Sequence, residues 1–187
     1  MSKTSSPDNP ARAIDQREFR DTMSQFCTGV VIATGAPYGV PAGFAAQSFV
    51  SISLDPPLIA LSPAKSSSSW PKLRSAGSLC INILSEKQQT LCNHFARSGG
   101  DKFADVVWHA GRNGAPRLEG VIAHIECELR DEVEAGDHTI AIAEVSHIER
   151  TFDGAGPLLF FQGGYGGFAA FGDANGCLLY TSPSPRD

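Results

Sequence analysis

The feature that most constrains the fold is a run of alternating residues over positions 121–133. The even positions from 124 onward are polar or charged, whereas the odd positions at its start are apolar: Val121, Ala123, Ile125, Cys127 and Leu129. A period of two predicts a β-strand with one face in the core and the other in water. The turn Ala135-Gly136-Asp137 then leads into a second apolar segment over 138–149, so this region predicts a long antiparallel hairpin.

Further strands are predicted where β-branched and apolar residues cluster between turn signals. They fall at 28–34, 48–54, 58–61, 77–84 and 157–161, and the alternating segment 48–54 is expected to be half buried. Residues 101–118 contain Gly111, Gly114 and Pro116, and we expect them to be irregular. Many strands with short connections and no βαβ rhythm predict a mainly β fold, a closed or nearly closed antiparallel barrel.

Two or three peripheral helices complete this prediction. Asp15 followed by Glu18 resembles a capping box and starts an amphipathic helix, and Ser85 with Gln88 repeats the pattern. A short helix is predicted at 70–75. In the first helix, the apolar residues Phe19, Met23 and Phe26 recur at helical spacing.

Composition excludes several classes of function. The net charge is -5 and no run of lysine or arginine occurs, so we expect neither a nucleic-acid partner nor a membrane partner. No apolar stretch reaches the roughly 20 residues that span a bilayer, and the first residues lack a signal-peptide core, so a cytoplasmic protein is expected. The five cysteines lie far apart without metal-ligand spacing, and buried free thiols are predicted instead of disulfides or a metal site.

The length of 187 residues predicts one domain. We assign residues 1–13 to a disordered arm, 14–168 to the domain and 169–187 to a truncated end. The string CLLYTSPSPRD at 177–187 resembles the translation of a transposase adaptor used in sequencing libraries, so we interpret it, with Cys177, as a scar that does not belong to the natural chain. A genuine Pro/Ser-rich tail is the alternative.

Three segments could carry chemistry. Residues 65–69 (KSSSS) combine hydroxyls, a positive charge and a predicted helix start, which suits a phosphate, although such runs are also common in solvated loops. Residues 43–48 (GFAAQS) are predicted to form a turn of small residues, which favours either the approach of a flat ring or close packing alone. The glycine-rich segment 163–167 is interpreted as a flexible exit from the last strand.

The ordered set of these pieces resembles the flavin reductase family of two-component monooxygenases, which have a split-barrel, FMN-binding fold. The resemblance runs from about position 19 to 165. It rests on FRDTMSQFCTGVVIAT, PAGFAAQSFVSISLDPPL, the serine loop, LCINILSEKQ, DKF at 101–103, GDH at 136–138 and PLLFFQGGY. The details QFCTG and AAQSF are especially similar to reductase components that serve hydroxylases of phenolic rings in steroid degradation.

The resemblance implies roles for individual positions. The flavin ring would lie against the segment Phe44, Ala45, Ala46, Gln47 and Ser48. The phosphate and ribityl chain would be held by polar groups on later elements: Ser62, Lys65, Ser67, Ser69 and Asn82. The outer side of the flavin would be closed by Lys102 and Phe103, and the nicotinamide would be oriented by His138, with Tyr165 flanking the same pocket.

The resemblance also implies the reaction. A hydride would pass from NADH or NADPH to FMN or FAD, and the reduced flavin would leave for a separate flavin-dependent oxygenase that hydroxylates an aromatic or phenolic substrate, such as a steroid-derived one. Family members are homodimers, so a homodimer is expected. Two alternatives stay open: a non-catalytic flavin-binding or sensor protein on the same barrel, and another split-barrel flavin oxidase acting on a phosphorylated pyridoxine-type substrate.

Overall fold

The computed structural model describes residues 13–151 and 154–170. The expected arm, apart from residue 13, and the tail from residue 171 onward, with Cys177, therefore lie outside the described residues. The strands of the described part are β1 (Thr28–Gly29), β2 (Val31–Gly35), β3 (Ala42–Ala46), β4 (Val50–Leu54), β5 (Pro57–Leu61), β6 (Ser78–Ile83), β7 (Trp108–Ala110), β8 (Pro116–Leu118), β9 (Ala123–Ala135), β10 (His138–Arg150), β11 (Leu159–Phe161) and β12 (Gly164–Gly166).

Three α-helices accompany these strands: α1 (Gln16–Met23), α2 (Trp70–Ala76) and α3 (Gln89–Ala96). Asp15 caps α1 as predicted, since its carboxylate accepts from the backbone N–H of Arg17 at 2.8 Å. Ahead of α3, Gln88 Oε1 accepts from the N–H of Ser85 at 3.0 Å, which is the side-chain half of the predicted capping box. The predicted helix start at Asp15 is therefore confirmed, whereas the box at Ser85 starts a short 3₁₀ turn over Glu86–Gln88 that leads into α3.

Seven strands form one antiparallel sheet in the order β3-β2-β6-β9-β10-β5-β4. Val31 of β2, near one end of this order, packs in the same buried cluster as Leu61 of β5, near the other end. Because the two ends of the sheet share one core, the sheet must curl on itself, and the predicted antiparallel barrel with peripheral helices is confirmed. The long hairpin β9–β10 is also present, with Gly136 at φ 65° in its turn.

A second buried cluster lies on the other side of β2. It joins Ile32 to Phe95 of α3 and Leu158, which precedes β11. This packing fixes α3 and the three-stranded sheet β1-β11-β12 against the barrel. It also holds Cys92, one of three described cysteines that are buried as predicted, whereas Cys27 is exposed.

Several local predictions are wrong. The small-residue segment beginning at Gly43 is mostly the strand β3, because its backbone pairs with β2. The segment 101–118 contains a hairpin, β7–β8. The glycine-rich segment around Tyr165 is the strand β12, paired with β11, and is not a flexible exit.

The alternating residues predicted the strands β9 and β4 but not which of their side chains are buried. Glu126 stands at a predicted water-facing position but is only 1 % exposed, whereas Val133, on the predicted core face, is exposed. In β4, Val50, Ile52 and Leu54 are all exposed, so this strand is not half buried. β4 is the last strand in the order of the sheet, where only β5 pairs with it.

Within residues 13–151 and 154–170, no helix is both long enough and apolar enough to cross a bilayer.

Candidate functional site

A cavity of about 470 Å³ opens between the end of β3, the loop after β5, the end of α3 and the start of β10. Most of the residues singled out from the sequence line it: Phe44, Ala45, Ala46, Gln47, Ser48, Ser62, Ser67, Ser69, Lys102, His138 and Tyr165. Segments far apart in the chain therefore converge on one concave surface of the size that small ligands occupy.

The wall formed by β3 is shallow because its side chains are small. At Gly43, an added Cβ would come within 2.9 Å of Phe95 Cε1 and 3.0 Å of the Ala33 carbonyl oxygen. The glycine is thus needed for the close approach of α3 to β3, which is the packing explanation left open above. Farther along β3, Ala45 and Ala46 leave room beside the backbone, and Phe44 packs edge-on against Trp70 at 6.2 Å.

The bend that follows β3 is tied to two neighbouring segments. Ser48 Oγ accepts from the backbone N–H of Ser62 at 2.9 Å. Gln47 Oε1 accepts from Thr28 Oγ1 at 3.4 Å. These contacts fix the cavity edge while leaving the amide nitrogen of Gln47 available in a residue that lines the cavity.

The serine loop forms the polar end of the cavity. Ser67 Oγ accepts from the backbone N–H of Trp70, the first residue of α2, at 3.1 Å. Ser69 is nearly buried, and its Oγ accepts from Lys102 Nζ at 3.3 Å. Lys102 is held further by a 2.9 Å hydrogen bond to the Phe95 carbonyl oxygen. The serine hydroxyls and the ammonium of Lys102 therefore lie together at this end of the cavity.

The charges around the cavity are of one sign. Two cations, Arg97 and Lys102, line it, and no aspartate or glutamate is among its lining residues within the described chain. Burial lowers the pKa of Lys102, and the nearby charge of Lys72 lowers it further. A cation whose charged form is disfavoured in this way gains stability from an anionic ligand.

Lys65 is not part of this cluster. Its ammonium pairs with the carboxylate of Glu134 on β9, and it is absent from the cavity lining. Lys102 is therefore the cation that this structure places beside the serines, and a place for Lys65 near a bound phosphate stays a prediction.

His138 stands at the mouth of the cavity, at the start of β10. Its Nδ1 lies 2.8 Å from Asp137 Oδ1, and this hydrogen bond lowers the pKa of the exposed Asp137 carboxyl. The contact fixes the ring orientation and leaves Nε2 as the atom that can address a ligand.

Tyr165 closes the opposite side from β12. Its ring packs edge-on against Phe160 at 5.1 Å, and its hydroxyl lies 3.4 Å from Cys92 Sγ. Burial, assisted by the contact with Cys92, raises the pKa of Tyr165 to about 12. The phenol is therefore neutral near pH 7 and can pack against an apolar ring.

Besides Lys65, two further expected site residues lie outside the cavity lining. Asn82 is fully buried, and its side chain donates to the Ile32 carbonyl oxygen at 3.1 Å and accepts from the Leu118 N–H at 2.8 Å. It therefore cannot reach a ribityl chain or phosphate in the cavity. Phe103 is buried edge-on against Phe95 at 5.2 Å and faces a smaller neighbouring cavity.

Sequence reasoning missed one wall of the cavity. It is formed by the end of α3 and the residues after it: Cys92, Phe95, Ala96, Arg97 and Ser98. The helical spacing of residues 91 and 95 before the glycines at 99 and 100 was a usable signal, but it indicated only that a helix packs there. Among the described residues, no three His, Cys, Asp or Glu side chains gather closely enough to hold a metal ion.

Comparison with known proteins gives a consistent result. The profile of the family described as "Flavin reductase like domain" matches residues 23–169. The reductase subunit HsaB of a flavin-dependent monooxygenase from Rhodococcus jostii is 45 % identical over 157 residues, which cover 84 % of this chain and 80 % of that protein.

Two solved structures are similar throughout the barrel. Nitrilotriacetate monooxygenase component B from Mycobacterium thermoresistibile is 41 % identical, with a TM-score of 0.80 over 90 % of this chain and 99 % of its own. An NADH:FAD oxidoreductase from Streptomyces globisporus, in complex with NAD and FAD fragments, is 33 % identical, with a TM-score of 0.79 over 85 % of this chain and 96 % of its own. The split-barrel fold predicted from the sequence is confirmed by these likenesses.

Proposed function

The chain belongs to the flavin reductase like domain family, and from that premise we propose that it transfers a hydride from NADH or NADPH to FMN or FAD and releases the reduced flavin to a separate monooxygenase. The observation that carries this proposal is the cavity with an apolar, small-residue wall at one end and serine hydroxyls with two cations at the other. A flavin mononucleotide unit matches this arrangement, since its flat ring is joined through a polyol to a charged phosphate.

The residues present fit that ligand end to end. Ala45 and Ala46 offer the surface on which the ring would lie, and Gln47 would address its polar edge. Ser69 and Lys102, already 3.3 Å apart, would hold the phosphate. The amides of the serine loop would add backbone donors.

His138 and Tyr165 are proposed to bind the nicotinamide. Both line the cavity, and they approach it from β10 and β12 rather than from the serine loop. The flavin supplies the hydride acceptor, so the protein has to bind, orient and keep water from the two rings. His138, oriented by Asp137 at 2.8 Å, would bind the carboxamide end through Nε2.

The oxygenase partner is supported by the relatives. HsaB is named as the reductase subunit of a flavin-dependent monooxygenase, and component B is named as a component of nitrilotriacetate monooxygenase. We propose that this chain likewise serves an oxygenase encoded separately, and a phenolic ring as the organic substrate stays a prediction.

A homodimer is part of the same proposal. The edge strand β4 exposes three apolar side chains, Val50, Ile52 and Leu54, and Leu54 is 70 % exposed. Helix α1 has no buried residue and exposes Phe19 and Met23. Apolar surface of this kind on two elements supports burial against a second copy.

The function is tested by steady-state assays of the purified protein with NADH and NADPH, each with FMN and with FAD. We expect NADH oxidation that depends on added flavin. A protein that bound flavin tightly and oxidised neither nicotinamide would instead be a binding or sensor protein, and the proposal would be wrong.

A further inference from the structure

A second, smaller cavity adjoins the serine loop on the side away from the flavin-ring wall. Its volume is about 210 Å³. Ser68, Ser69 and Lys102 line both this cavity and the larger one, so the two cavities share these residues as a wall. A ligand held by Ser69 therefore lies next to both cavities.

Lys72 and Lys102 both line this smaller cavity. Burial lowers the pKa of the Lys102 ammonium, and the charge of Lys72 lowers it further. In the part of the chain that the structure describes, neither lysine forms an ion pair with a carboxylate, whereas Lys65 pairs with Glu134. Asp101 is the only acidic residue in the lining of this cavity, and its Oδ1 accepts from the Phe103 N–H at 2.9 Å.

Two unpaired cations held together are unfavourable without an anion between them. They stand out in a chain whose net charge is -5. The first phosphate of a flavin would already be held on the other side of the shared wall, by Ser69, Lys102 and Arg97. A phosphate linked directly to it is the anion that the geometry can accommodate.

We propose that Lys72 and Lys102 form a subsite for the second phosphate of FAD, so that this chain prefers FAD to FMN. The inference rests on the proposed flavin site and adds a choice between its two candidate ligands. Lys102 contacts both cavities and so acts on either flavin, whereas Lys72 lines only the smaller one and acts on the dinucleotide alone.

The test is a fluorescence titration of FAD and of FMN, without nicotinamide, into wild-type protein and four variants. Lys72→Gln should weaken FAD binding by roughly tenfold, the worth of one charge-assisted contact, and leave FMN binding unchanged. Arg97→Gln should weaken both flavins alike. Lys87→Gln removes an exposed lysine that lines neither cavity and should change neither affinity. Lys72→Arg keeps the charge and should retain most of the preference for FAD.

Three results would overturn the inference. In the first, Lys72→Gln changes FAD and FMN binding equally or not at all. In the second, the variant raises the KM for NADH at saturating FAD while the Kd of FAD stays unchanged, which would assign the lysine to the nicotinamide dinucleotide. In the third, wild-type protein binds neither flavin, which would overturn the proposed function as well and is thereby distinguishable from the first two. Lys72 is exposed, so we expect Lys72→Gln to fold, and its Tm should confirm this.

Discussion

Lys102 donates a hydrogen bond from Nζ to Ser69 Oγ at 3.3 Å. This contact joins the loop after α3 to the residue that precedes α2 and so fixes the polar end of the cavity. Because Lys102 is also bound to the Phe95 carbonyl oxygen at 2.9 Å, its charge is positioned before any ligand arrives. A site arranged in advance loses less entropy when it binds.

Ser69→Ala should therefore raise the Kd of either flavin while leaving the fold intact. A hydrogen bond from a hydroxyl to a phosphate is worth roughly 1.5 to 3 kcal/mol, or about ten- to a hundredfold in affinity. Ser67→Ala is a less clean test, because Ser67 Oγ accepts from the Trp70 N–H at the start of α2, and loss of such a hydrogen bond costs about 1 kcal/mol of stability.

Ser75→Ala is the matched control for Ser69→Ala. Ser75 is an exposed residue of α2 whose hydroxyl donates to the Lys72 carbonyl oxygen at 2.8 Å, and it does not line the cavity. Its removal should leave flavin titrations unchanged. Equal Kd values for wild type and Ser69→Ala would remove this loop from the site.

The local signals in the sequence predicted the elements well. Asp15, Ser85 and the turn at Gly136 each act through neighbours within a few residues, so their effect can be identified without knowledge of the fold. The serine loop was found in the same way, because it is contiguous. The cavity wall from α3 was missed because its residues meet the serines only through tertiary packing.

Long-range pairing also explains where the structure differs from the expectations for individual residues. Lys65 pairs with Glu134, which lies two strands away across the sheet order β5-β10-β9. Glu126 is buried because the turn between β7 and β8 covers that part of β9, and the N–H of Asn113 in this turn donates to its carboxylate at 3.0 Å. Alternation indicates which side chains share a face, but it does not reveal what covers that face.

His138→Ala should raise the KM for NADH and leave the Kd of the flavin unchanged, because His138 approaches the cavity from β10 and not from the serine loop. Loss of one or two orienting hydrogen bonds corresponds to roughly a tenfold increase in KM. His109→Ala is the control, since His109 contacts Glu119 at 2.7 Å on the surface. An equal loss of flavin affinity in His138→Ala would contradict the assignment to the nicotinamide.

Tyr165 should ionise late in the folded protein, because its pKa is raised to about 12. An unfolded tyrosine ionises near pH 10, so the unfolded chain loses this proton first. The contribution to stability is full below about pH 10 and is lost as the pH rises towards 12. Titration of phenolate absorbance should show a late component that Tyr165→Phe removes, and denaturation in urea should abolish it. A titration of the folded variant identical to that of wild type would contradict this.

Asn82→Leu should lower the free energy of unfolding by about 2 to 4 kcal/mol, because it leaves the buried Ile32 carbonyl and Leu118 N–H without their side-chain partner. Flavin affinity, measured per folded molecule, should not change. The control is Asn93→Ala, at an exposed position of α3. A selective loss of flavin binding by a stable Asn82 variant would restore the role that the sequence suggested.

The exposed edge strand β4 supplies the last prediction, which concerns assembly. Ile52 is 47 % exposed and lies between two other exposed apolar residues, Val50 and Leu54. Burying such a row against a second copy would stabilise a dimer at about 25 cal/mol for each Å² of apolar surface removed from water, and a charge placed there would have to be desolvated. Ile52→Asp should therefore convert a dimer to a monomer in sedimentation velocity experiments.

Val107→Asp introduces the same charge at another exposed apolar residue, outside β4, and should leave the dimer intact. If wild type and Ile52→Asp sediment alike as dimers, the interface lies elsewhere, with the exposed face of α1 as the next surface to test.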